Sequence, residues 1–398
     1  MDTSIYINQA EDTSYQAKAA ATAPAIKTYV YASVFSSLCV IVGLIWDISW
    51  HTSIGRDGLL SPPHDVIYLG AILAGIFSAY QVLRNTFFGS LADKQASIKF
   101  WGIFYGPLGA LFCIWGAIAM LTSAPFDDWW HNTYGLDVVI LSPPHTLLAL
   151  GIMMIQFGAM IAVLSSLHTT KSSDKTIHNW LFIIASGLLL TMLYGLFSEY
   201  LNKARSHSTL CYIVGSIVFP LFLIAVARAG KMRWAATGTA VVYMLTMLIM
   251  LWVLPLFPAT PRLGPVLNHF DHYQPFHFPL LLVIPALAID LVFIRFKDKK
   301  PFIQVILASL LFLLVFFIVQ WNFGGFLQTS PLTRNWFFGS YSWYFGANPE
   351  WPYRYSWYPD NIETTASLIK GMSIAAVLAV LSGLIGNKWG NWMRRVQR

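Results

Sequence analysis

The chain has 398 residues, 56% of them hydrophobic and only 11% charged, against about 25% charged in an average soluble domain. A mean hydropathy of +0.58 with 16% aromatic residues excludes a disordered chain, a collagen-like chain and a small disulfide scaffold. The net charge of +7 is no nucleic-acid footprint, because Lys and Arg cluster briefly between apolar runs, where topology signals belong.

Apolar runs of roughly 20 residues, the length that crosses a bilayer core, recur along the chain. Residues 1–28 form a polar, alanine-rich tail with no cleavable leader. Ten spans are expected, near 29–50, 64–85, 98–123, 144–168, 177–200, 208–229, 234–257, 277–296, 302–322 and 364–386. The fold class is therefore all-α, a polytopic transmembrane helix bundle.

Basic clusters recur on one side: Arg228, Lys231 and Arg233, then Lys297, Lys299 and Lys300, then Arg394, Arg395 and Arg398. The positive-inside rule puts that side, and both termini, in the cytoplasm. The loops 51–63, 124–143, 258–276 and 323–363 then face outward. The chain divides into the tail 1–28, a metal-binding region 29–168 and further helices over 169–322. An aromatic outer loop at 323–363 and a last helix with a basic tail at 364–398 complete it. Trp336, Trp343, Trp351 and Trp357 in the aromatic loop suit a cap or anchor in the membrane interface. Cys39, Cys113 and Cys211 lie inside apolar runs and read as core thiols.

Two stretches resemble each other: WDISWHTSIGRDGLLSPPHDVIYLG at 46–70 and FDDWWHNTYGLDVVILSPPHTLLALG at 126–151. With one residue inserted, Asp47 aligns with Asp127, His51 with His131, Asp57 with Asp137 and His64 with His145. This reads as an internal repeat of a two-helix unit. Asp and His four residues apart share one helix face. Pro-Pro opens the next helix, where a missing N–H costs little, and delivers the second His beside the first pair. One carboxylate and two imidazoles make a three-point metal site that suits copper, zinc or non-haem iron. Ionisable groups near membrane depth are costly, and repeating three of them calls for a compensating ion. Asp128 can exchange roles with Asp127, but the four-residue spacing favours Asp127.

These intervals resemble the metal-ligand pattern of one membrane subunit in the copper membrane monooxygenases, the particulate methane and ammonia monooxygenases. One metal site of that family uses Asp, His four later and His thirteen further on; a neighbouring site uses Asn, His four later and His fourteen further on. Asp47, His51 and His64 match the first pattern, and Asp127, His131 and His145 the second, with Asp127 where the family has Asn. The resemblance covers about residues 30–165. It implies copper, and oxidation of a small apolar substrate with dioxygen. Asp57, Asp137 and Arg56 are then supporting or proton-handling groups, with Arg56 holding Asp57, and Glu199 beside Tyr200 offers a further carboxylate.

The outer loop also carries His269, Asp271, His272 and His277, as a third metal site, a lid, a proton relay or simply a polar loop. Asp290 and Lys370, placed toward the inner halves of their spans, read as a structural pair or as functional groups. His168 and His178 fall on the side opposite the repeat and are excluded. No P-loop, dinucleotide fingerprint, nucleophile elbow or haem attachment motif occurs. Expected partners are the bilayer, other membrane subunits, and dioxygen with a small apolar substrate. Expected placement is a bacterial inner membrane with the sites toward the periplasm. A copper carrier, or a structural subunit of a larger complex, uses the same ligands and stays open as the alternative.

Overall fold

The computed structural model describes residues 26–135, 142–169, 175–230 and 232–396. Asp137, Lys171, Lys231, Arg398 and the side chain of His168 lie outside the described residues. In a hydrocarbon core each backbone polar group must be satisfied within its own segment, which selects helices for long apolar runs. Nine helices among the described residues are long and apolar enough to cross a bilayer. They are α1 (Thr28–Ser53), α2 (Pro62–Phe87), α3 (Leu108–Tyr134), α4 (Pro143–Thr169), α5 (Lys175–Leu196), α6 (Thr209–Ala229), α7 (Ala235–Val253), α9 (Pro301–Thr329) and α10 (Thr365–Met393). Between α7 and α9 lies the shorter α8 (Val283–Arg295).

Two expected spans differ in detail. The run at 98–123 opens as an antiparallel hairpin, β1 (Ile98–Phe100) with β2 (Phe104–Gly106). Trp101 and Gly102, at φ 48° and 72°, make its turn, so α3 starts only at Leu108. The run at 277–296 is helical only over the 13 residues of α8, about 20 Å at 1.5 Å per residue and short of a bilayer core of roughly 30 Å. Pro275 and Pro279 lack N–H donors and hold their predecessors extended, so composition overstates this span.

The bundle is built on hairpins. α1 packs along α2, α3 along α4, and α2 against α3, with α4 and α5 behind them. Each hairpin closes on a glycine. A Cβ on Gly70 of α2 would stand 2.6 Å from Val40 Cγ2 and 2.9 Å from Ser36 O of α1. A Cβ on Gly151 of α4 would stand 2.6 Å from Met120 Cγ and 2.8 Å from Gly116 O of α3. Small residues let membrane helices approach this closely, and dispersion then holds them together. On the other flank, Gly383, Gly386 and Gly390 of α10 admit α9 and α6 in the same way.

One end of the bundle carries a cap made from residues 254–282 and 330–364. It is pinned to the last turn of α1: Gln274 N donates to Ser53 Oγ at 2.7 Å and Ser49 Oγ to Gln274 O at 2.7 Å. Arg262 N donates to Ile54 O at 2.8 Å and Phe345 N to Thr52 O at 3.2 Å. His207 fixes the cap further, its ring stacked between Trp321 and Trp357 at 4.0 and 4.1 Å. Arg228, Lys297, Lys299 and Lys300 lie at the opposite end, where α6 and α8 finish and α9 begins.

Asp290 and Lys370 do not pair. Asp290 caps α7, accepting from Thr237 N at 2.8 Å and Thr237 Oγ1 at 2.7 Å. Lys370 is exposed in the second turn of α10, at the cap end. His178 is buried against Ser166 Oγ at 2.9 Å, tying α5 to α4. The three cysteines are buried and free.

Candidate metal centre

Asp47 and His51 lie one turn apart near the end of α1, and their side chains meet, Asp47 Oδ2 to His51 Nε2 at 3.7 Å. The chain then turns through Gly55, at φ 93°, a conformation that favours glycine. It re-enters at Pro62, and His64 Nε2 arrives 3.3 Å from Asp47 Oδ1. The loop also folds Asp57 inward: its Oδ2 stands 3.2 Å from His64 Nε2 and 3.5 Å from His51 Nε2. Asp57 thus touches both imidazoles directly, with only 8% of its side chain exposed. Arg56 is exposed and makes no ion pair with it among the described residues; its carbonyl accepts from Trp50 Nε1 at 3.1 Å.

The second set repeats the first in outline. Asp127 Oδ2 is 3.5 Å from His131 Nε2, and Asp127 Oδ1 is 3.4 Å from His145 Nε2. The three side chains offer ligand atoms within 4.8 Å of one another, as do Asp47, Asp57 and His64. Asp128 is exposed and accepts from Asn132 Nδ2 at 3.2 Å, so it stands apart from the set.

In each set a loop carbonyl positions one ring. His64 Nδ1 lies 3.0 Å from Gly58 O, and His131 Nδ1 lies 3.2 Å from Gly135 O. A carbonyl partner favours the proton on Nδ1, which would leave Nε2 to ligate an ion held by the carboxylates. Asp47 Oδ1 is buried without a hydrogen bond. Buried carboxylate oxygens demand compensation, and a cation held together with His64 would supply it.

Both sets open on one cavity of about 510 Å³. Its walls are largely apolar, with Leu148, Ile152 and Met192 from the bundle and Leu263, Phe276 and Phe345 from the cap. The sequence gives no periodic signal for these cap residues; pairing of the cap with α1 brings them in.

The remaining candidates disperse. Glu199 is exposed, and its carbonyl accepts from Asn202 Nδ2 at 3.0 Å. Tyr200 beside it is exposed. His269 is exposed on the cap, while His272 Nδ1 meets Asp271 Oδ1 at 2.9 Å. His277 lines a different cavity, beside Lys203. Neither metal-type cluster among the described residues includes any of the three.

No family model, no curated protein and no solved structure matches the chain. The geometry therefore carries the assignment: an apolar helical membrane protein with two His–Asp groups able to hold a metal ion.

Proposed function

We propose that this chain is an integral membrane metalloprotein that oxidises a small apolar molecule with dioxygen, drawing electrons from a separate reductant. The observation that carries this reading is the convergence of two imidazole–carboxylate sets on a single, largely apolar cavity. Asp47, Asp57, His51 and His64 hold one ion; Asp127, His131 and His145 hold the other. The donors are imidazole nitrogen and carboxylate oxygen, with the three cysteines buried elsewhere, a set that suits copper(II), zinc or non-haem iron. Copper is the choice that the resemblance to the copper membrane monooxygenases implies.

A bound redox metal would supply the activation of dioxygen. The chain supplies the rest. Gly58 O and Gly135 O orient His64 and His131, and Leu148, Ile152 and Met192 offer an apolar substrate a dry wall. The matching contacts of Gly70 and Gly151 support descent of the two hairpins from one duplicated unit. The basic clusters at the far end support cytoplasmic termini and sites facing the periplasm.

The test is metal analysis of the purified protein together with oxygen consumption on small hydrocarbons or ammonia, in the unmodified chain and in His64→Ala and His145→Ala. The expected result is two ions per chain, one lost in each variant, with turnover lost in at least one. Full loading without oxygen consumption, joined to copper flux across vesicles, replaces the enzyme by a carrier. Iron or zinc in place of copper overturns the choice of metal.

A further inference from the structure

A second cavity of about 420 Å³ lies under the cap beside the one that holds the two His–Asp sets; Ile48, Thr52 and Phe276 belong to the walls of both. Its charge is one-sided. Lys203 and Arg354 line it, and no Asp or Glu does. Neither cation forms an ion pair among the described residues. Lys203 Nζ donates to Ser340 Oγ at 2.6 Å and Ser340 O at 3.3 Å. Arg354 donates to Tyr341 O at 2.6 Å and Pro349 O at 3.3 Å, and its guanidinium lies 5.1 Å from the ring centres of Trp343 and Tyr355.

Two like charges in a partly desolvated space repel, and neutral oxygens offset that only in part. Burial first, and then the charge of Arg354, pulls the Lys203 ammonium down to about 8. His277 lines the same wall. Gln328 adds an independent sign of a missing partner. Its Nε2 donates to Ser356 O at 2.9 Å, while its Oε1 is buried without a hydrogen bond. The rest of the wall is largely aromatic, with Phe278, Phe338, Trp343 and Tyr353.

We infer that this cavity is a binding site for a small organic carboxylate, its anionic head between Lys203 and Arg354 and its apolar body against the aromatic wall. Arg presents a planar fork that matches carboxylate geometry, and Lys adds a point charge. The volume falls in the range of small-molecule sites. A hydroxyl on the ligand body would satisfy Gln328 Oε1.

The test is calorimetric titration of the purified full chain with 4-hydroxybenzoate, beside its neutral isostere 4-hydroxybenzamide and inorganic phosphate. The same chain is also compared in nanodiscs of phosphatidylglycerol and of phosphatidylcholine. The expected result is saturable binding of the benzoate at or below about 1 mM, with the amide weaker by on the order of tenfold or more. Lys203→Met and Arg354→Met should each weaken it by a similar factor while leaving metal content unchanged. Equal binding of acid and amide, or no binding at about 10 mM, overturns the proposal. So does phosphate outcompeting the benzoate, or phosphatidylglycerol alone blocking the site, which assigns the cavity to phosphate or to a lipid headgroup. The acid–amide comparison uses the unmodified protein, so it decides the matter even where a variant fails to fold.

Discussion

Asp57 Oδ2 stands 3.2 Å from His64 Nε2, slightly closer than Asp47 Oδ1 at 3.3 Å, although Asp57 belongs to a loop and to neither helix. The first set therefore carries two carboxylates and the second, among the described residues, one. Asp57→Asn keeps the shape and removes the charge. It should weaken metal binding at the first set by on the order of tenfold to a hundredfold and leave the second unaltered. Titrating metal into the variant in a His131→Ala background isolates the first set. An unchanged isotherm there would reduce Asp57 to a bystander.

The hairpin contacts predict a different kind of loss. A Cβ on Gly151 meets Gly116 O at 2.8 Å, and backbone cannot swing aside as a side chain can. Gly151→Ala and Gly70→Ala should each cost about 1–3 kcal/mol of stability through overpacking. Gly195→Ala is the control, since a Cβ there meets nothing within 4 Å. Thermal unfolding in detergent checks all three; an undisturbed melting temperature in Gly151→Ala would show that α3 and α4 part easily.

His277 gives a pH prediction with a definite sign. Its protonation midpoint falls to about 4 in the folded protein, against about 6.5 when unfolded. The unfolded chain then binds the extra proton first, so stability is highest above about pH 6.5 and declines as pH falls toward about 4. His277→Gln should flatten that part of the profile relative to the unmodified chain. Superimposable pH–stability curves for the two proteins would contradict it.

Orientation is testable at His269, exposed on the cap. His269→Cys should react with an impermeant maleimide from the periplasmic side of intact cells. The three native cysteines are buried and leave a low background. Labelling only after the inner membrane is opened would turn the protein over and place the metal sets in the cytoplasm.

How much of this was legible follows the range of the interaction. The four-residue spacing of Asp47 and His51 is a helix property, and Pro62 and Pro63 mark a helix start, so sequence alone points at both. The inward turn of Asp57 is not periodic. It depends on the backbone at Gly55 and on the hydrogen bond between Gly58 and His64, which is why Asp57 reads from the chain as a supporting group. The cap is harder still, since Gln274 meets Ser53 and Phe345 meets Thr52 across more than two hundred residues. Composition also misled at 277–296, where apolar content is high but Pro275 and Pro279 keep the backbone extended.

The glycine-sealed hairpins have a consequence for the order of assembly. Asp47, His51, Asp57 and His64 all lie between the start of α1 and the first turn of α2, and Gly70 packs those two helices closely against each other. The α3–α4 hairpin packs in the same way at Gly151. Chains emerge from the ribosome N-terminus first, and local units form before distant ones. The ligands of each set are therefore all synthesised before most of the cap. On the proposed reading an ion would enter each set before residues 254–282 and 330–364, whose Leu263, Phe276 and Phe345 line the shared cavity, fold against α1.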